Sequence, residues 1–160
     1  MKKLLALLTV ISLTGCSLLR EPTVQQYEPL DSYSYFYVTP TSDLTSSNRK
    51  IYSDKDGIHE KSETETLSPS EVISGKLIKK GMIRLPSLDR DILDKTLIVN
   101  YGESGRRTIL VGEAIEVTIQ FVSAKKHSIV YVCTAEGKGS TEPENVRVAI
   151  NRALDTLFKE

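Results

Sequence analysis

Few residues in this chain have the types and spacing that chemistry requires. Its 160 residues include two histidines, His59 and His127, and two cysteines, Cys16 and Cys133. A zinc site takes three or four such ligands, usually at short spacing, and no such cluster stands here. A Ser-His-Asp order, a nucleophile elbow and a paired-carboxylate motif are likewise absent from the sequence pattern. The expectation is a non-enzymatic protein without metal or cofactor. Asp54-Lys55-Asp56-Gly57 begins like a calcium loop, but it lacks the further oxygen ligands and the closing glutamate, and turn chemistry accounts for it better. Gly137-Lys138-Gly139-Ser140-Thr141 stands before a helix-like stretch, where glycine-rich backbone can cradle phosphate. Its spacing is neither that of a P-loop nor of a dinucleotide fingerprint, and Glu142 and Glu144 would repel an anion. A capped strand-to-helix turn explains it. Arg106 and Arg107, in the polar stretch 102–107, would either clamp an acidic partner or decorate a hairpin tip. Tyr33, Tyr35 and Tyr37 alternate onto one strand face, as a sugar-stacking platform or as cover for the core.

Cys16 stands apart because of what precedes it. Lys2 and Lys3, the mostly apolar run 4–13 and the small residues after it follow the order of a secretory signal. A ten-residue run is too short to span a bilayer, which needs about 20. Leu13-Thr14-Gly15-Cys16 resembles the lipobox of bacterial lipoproteins. That resemblance implies a signal peptide over 1–15, cleavage before Cys16, and lipid on Cys16 that ties the protein to a membrane. Ser17, not an acidic residue, follows Cys16, which by the same analogy points to the outer membrane, facing the periplasm. Cys133 is then left without an intrachain partner, so no disulfide is expected and the core alone must hold the domain together.

The remaining pattern is that of a single α+β domain over 33–160, preceded by residues 16–32, which read as a tether or as a segment packed on the domain surface. Aromatic and β-branched residues predict a strand over 33–39, ended by Pro40. Residues 41–67 form a long polar insert, with a short hairpin at Asp56-Gly57 as one option. Ser68-Pro69-Ser70-Glu71 reads as a capping box opening a helix that stops at Gly81, and Gly75 within it marks either a weak spot or close packing. A short strand over 82–85, a helical turn near 89–95 and an apolar strand over 96–101 follow. Strict alternation from Ile115 to Phe121 and again over 128–136 predicts a long hairpin, with Cys133 on a buried or half-buried face. Thr141-Glu142-Pro143-Glu144 caps a last helix whose apolar stripe runs from Val146 to Phe158. Together these give a two-layer sandwich: a four- or five-stranded mixed sheet with both helices packed on one face.

The tyrosine-rich strand, the helix with its Lys-Gly stop, the apolar strand, the hairpin and the closing helix resemble small bacterial envelope lipoproteins of unknown function. More distantly, the arrangement is similar to that of curli-secretion and polysaccharide-export lipoproteins. The resemblance carries over no catalytic or binding residue. It implies a membrane-anchored protein that binds an envelope protein or polymer partner. An oligomeric component of a secretion or export assembly is one alternative, and an envelope-polymer hydrolase is another. Lys plus Arg equals Asp plus Glu at 21 each, so the strongly basic face that nucleic acid calls for is not expected.

Overall fold

The computed structural model describes residues 19–110 and 112–158; residues 1–15, read as a signal peptide, and Cys16 lie outside them. Eight strands and two helices follow in the order β1 (Thr23–Gln26), β2 (Tyr35–Val38), β3 (Leu44–Asp54), β4 (Gly57–Leu67), α1 (Pro69–Lys79), β5 (Ile83–Arg84), β6 (Thr96–Thr108), β7 (Glu113–Ser123), β8 (Ile129–Gly137) and α2 (Glu142–Leu157). The fold is α+β. Six strands make one mixed sheet in the order β1-β8-β7-β6-β2-β5, with β2 parallel to β5 and β6 and the other pairs antiparallel. Ile115, Val117, Ile119 and Phe121 line the covered face, as their alternation predicts, and form one buried core with Ile73 and Leu77 of α1 and Val146, Ile150 and Leu154 of α2. No helix among the described residues is long and apolar enough to cross a membrane.

The sheet exceeds the expected four or five strands because part of the segment read as a tether joins it. Thr23 to Gln26 pair antiparallel with Thr134 to Tyr131. Without them β8 would be a bare edge, and backbone pairing of this kind asks for no apolar pattern, so the composition of 16–32 conceals it.

The polar insert differs more. Instead of a loop with a short hairpin, β3 and β4 form a separate two-stranded ribbon registered from Leu44 opposite Leu67 to Asp54 opposite Gly57. Gly57 takes φ +128° at the turn, which explains the Asp-Gly pair. Hydroxyl pairs Thr45–Thr66 and Ser47–Thr64 and the Arg49–Glu60 ion pair at 2.6 Å tie the strands across. At its base, Leu67 enters the core and Glu65 binds the Thr141 hydroxyl and Arg147 of α2.

Both helix starts depart from the reciprocal capping box. Ser68 precedes α1 with Pro69 at its first position, but makes no side-chain cap. The Ser70 N–H donates instead to the Thr41 hydroxyl, and Glu71 forms a double hydrogen bond with Arg84. Thr141 does cap α2, accepting from the Glu144 N–H, whereas the Glu144 carboxylate accepts from the Ser140 N–H and hydroxyl. Gly81, at φ +88°, ends α1 as expected. A side chain at Gly75 would meet nothing within 4 Å, so that glycine marks no close packing.

Candidate functional site

Strand β6 does not stop at Tyr101. It runs on through Arg106 and Arg107 to Thr108, paired with β7 throughout and interrupted by a bulge between Glu103 and Gly105. The residues 102–107 are therefore strand, not turn; two glycines and a charge-rich pattern disguise a segment that pairing with β7 holds extended. The bulge adds one residue and so re-aims the side chains beyond it. Arg106, opposite Ile115, turns to the helix-covered side and joins Glu103 at 2.9 Å, Glu113 at 3.6 Å and Glu142 of α2. Arg107, opposite Ala114, turns to the other side.

There it meets Glu136, which β8 places opposite Glu116. Glu136 is only 2% exposed, and its carboxylate is saturated with donors. Arg107 gives two hydrogen bonds, at 3.0 and 2.6 Å, and the Arg20 N–H a third at 2.8 Å. The Arg20 guanidinium stands 3.5 Å away, and also 3.7 Å from Glu116. Arg107 and the Arg20 backbone hold the Glu136 carboxyl below the usual carboxylate range against the opposing effect of burial. Arg152, reaching from α2, donates to the carbonyls of both Glu136 and Arg20. A carboxylate so engaged is a poor base and a good clamp. What it clamps is the chain four residues after Cys16.

The same end of the sheet explains the glycine-rich junction. A Cβ on Gly137 would lie 2.0 Å from the Asn145 carbonyl oxygen and 2.3 Å from the Ala149 nitrogen, so α2 lies directly on that backbone. Asn145 accepts from the Gly139 N–H and donates to the Glu113 carbonyl. With Glu144 taking the Ser140 N–H, the helix start is occupied by its own side chains, and the phosphate reading has no support in the geometry.

No family model and no curated protein matches the chain. Among solved structures, a point variant of the PelC dodecamer from Paraburkholderia phytofirmans aligns with TM-score 0.48 and 17% identity, over 85% of this chain and 96% of that one. The PelC dodecamer from the same organism, in another crystal form, gives 0.45 and 15%, over 86% and 97%. Similarity of this size says nothing of what this chain binds or forms.

The other residues singled out from sequence lie apart. Cys133 is fully buried on the covered side, and burial pushes its thiol up to about 12, which makes it inert at neutral pH. His59 is on β4 and His127 is in the β7–β8 turn at φ 56°, at separate places in the fold. No group of three or more His, Cys, Asp or Glu able to hold a metal occurs among the described residues. Tyr33 is buried and donates to Glu28, whereas Tyr35 and Tyr37 are half-buried on the sheet face opposite Phe36 and Val38.

Two surfaces remain, of which sequence reasoning missed the first. Strand β2 ends its pairing at Val38 opposite Val99, so beyond Val99 no described strand pairs with the outer side of β6. The ribbon exposes Ile51 at 71% and Ile58 at 80%. The first carries no sequence signal, since an unpaired edge is a property of topology; the second is signalled only by the Asp-Gly turn, because the ribbon's alternation is largely between polar residues.

Proposed function

We propose that this is a non-enzymatic lipoprotein of the bacterial envelope, anchored through Cys16 to the outer membrane, whose domain binds a protein or polymer partner. The ribbon carries this reading. A two-stranded hairpin is marginal in water unless something packs on it, and this one spends two exposed isoleucines near its turn. Large apolar side chains held out on a projecting element suit contact better than solvent. The anchor itself rests on the order of basic, apolar and small residues before Cys16.

Two outcomes test the reading. Cys16→Ala is expected to leave the protein without acyl groups and out of the membrane fraction; unchanged fractionation would overturn the anchor. A photo-crosslinking residue at Ile51 or Ile58, used in intact cells, is expected to give one discrete adduct that is lost in the Cys16→Ala background. A smear no different from that of the same probe at Lys125, in the β7–β8 turn, would sink the partner-binding role.

A subunit of an oligomeric export or secretion assembly is the second reading. The open side of β6 favours it, because such an edge accepts a strand from another chain by backbone hydrogen bonds alone. An adduct of twice the protomer mass would select this reading over the first.

A further inference from the structure

We propose that the turn between β6 and β7, with Ile109 and Leu110 at its tip, lies in the lipid surface and seats the domain with that end of the sheet against the membrane. The inference rests on the lipid-anchored reading of Cys16.

Reach sets the geometry. From Cys16 to Leu19, where the described chain begins, are three residues, at most about 11 Å when extended. The next residue, Arg20, is fixed at one end of the sheet by Glu136 and Arg152. A lipid on Cys16 therefore holds this end within about two headgroup layers of the hydrocarbon. The β6–β7 turn rises from the same end: Arg107 and Ala114, a few residues to either side of it, line one cleft together with Arg20 and Glu136. The turn is closed by the Ile109 N–H on the Gly112 carbonyl at 3.1 Å, with Gly112 at φ +88°.

Its composition is wrong for water and right for an interface. Turns of this kind ordinarily present Gly, Asn, Asp or Ser, whereas this one presents Leu110 at 90% exposure, the most exposed of the large apolar side chains described. A lone exposed leucine needs no explanation; one held on a turn beside the anchor does. Lys138 lies alongside, its chain about 4.0 Å from where a Cβ on Gly112 would stand. Glu113, the first residue of β7, is paired with Arg106, which Glu103 and Glu142 share. A large apolar side chain held out on a tip, with a lysine alongside it, suits a lipid surface better than water.

The chain has no tryptophan, so Leu110→Trp installs a single reporter. The lipidated full-length variant is reconstituted in vesicles of phosphatidylethanolamine and phosphatidylglycerol with brominated acyl chains. At least twofold quenching relative to unbrominated vesicles, with a blue-shifted emission, is expected. Lys125→Trp, in the β7–β8 turn at the other end of the 11-residue β7, is expected to stay unquenched. If the Leu110→Trp protein floats with the vesicles but is as unquenched as Lys125→Trp, the inference fails while the anchored reading stands. If the Cys16 peptide carries no acyl mass, the anchored reading fails and the inference falls with it.

Discussion

Gly137→Ala is expected to destabilise the domain by about 3 kcal/mol or more, at the upper end of what overpacking costs. The added carbon would sit 2.0 Å from the Asn145 carbonyl oxygen, 2.3 Å from the Ala149 nitrogen and 2.9 Å from its Cα, all backbone of α2. A flexible side chain could swing away, but a helix held by Val146, Ile150 and Leu154 in the core cannot. Lifting it also strains Asn145, which ties the helix start to the Gly139 N–H and the Glu113 carbonyl. The same substitution at Gly75 provides the contrast. That position is helical with nothing within 4 Å of a new Cβ, so Gly75→Ala is expected to be neutral or stabilising by up to about 1 kcal/mol. Urea unfolding of the two variants checks the pair. Equal effects would mean that α2 does not sit on β8 as described.

That contrast also shows where sequence stops being informative. Gly75 reads as a weak spot or close packing within a helix and Gly137 as part of a strand-to-helix turn, and neither reading says that it is Gly137 that lies under a helix and Gly75 that lies in open space. The covered face was legible because burial imposes a period: Ile115 to Phe121 could hardly be anything but a strand with one dry side. Residues 102–108 were not, because their strand state comes from pairing with β7 across the sheet and not from their own propensities. Of the ribbon only a short hairpin at the Asp-Gly turn was legible, and its length escaped for a related reason. Its strands pair through a backbone ladder whose cross-strand side-chain partners include hydroxyl and ion pairs, which leave no apolar alternation to count.

The clamp was illegible in a stricter sense. Arg20 and Glu136 lie 116 positions apart, one in a segment read as tether and the other near the end of a strand whose alternation would place it with the solvent-facing residues. Arg107, in a stretch read as turn, reaches Glu136 only because the bulge after Glu103 reverses which arginine faces which side. Three separate departures from simple pattern meet at one carboxylate, and the meeting fixes Arg20, four residues after Cys16, to the domain in place of a loose leash.

Glu136→Gln is expected to remove about 3 kcal/mol of stability at neutral pH, the lower end for breaking a buried ion pair. Arg107 remains 36% exposed in its side chain and so regains some hydration. The amide matches the carboxylate in size but cannot accept from both Arg107 and the Arg20 N–H with full charge, and it turns a donor toward a guanidinium. The pH dependence gives the sign. The folded-state carboxyl is held below its ordinary value, chiefly by its hydrogen bonds to Arg107, so its contribution is complete above the unfolded carboxylate value of about 4.3 and fades as pH falls through the lower folded value. The gap between wild type and variant should therefore be constant from about pH 6 to 8 and should close below about pH 4. Taking the difference cancels the other carboxylates held low, Glu28, Glu71 and Glu144, which titrate alike in both proteins. A gap that persists unchanged into acid would mean that Glu136 acts through shape and not charge. Loss of the clamp should also free the first described residues before the core opens: amides of Leu19 and Arg20 should exchange with solvent faster in the variant at pH 7, while those of Val117 and Ile119 in the centre of β7 change only as far as global stability does. Release of the N-terminal segment without such loss at the core would assign Glu136 to fixing that segment on the domain, and uniform acceleration across the chain would assign it to the stability of the fold alone.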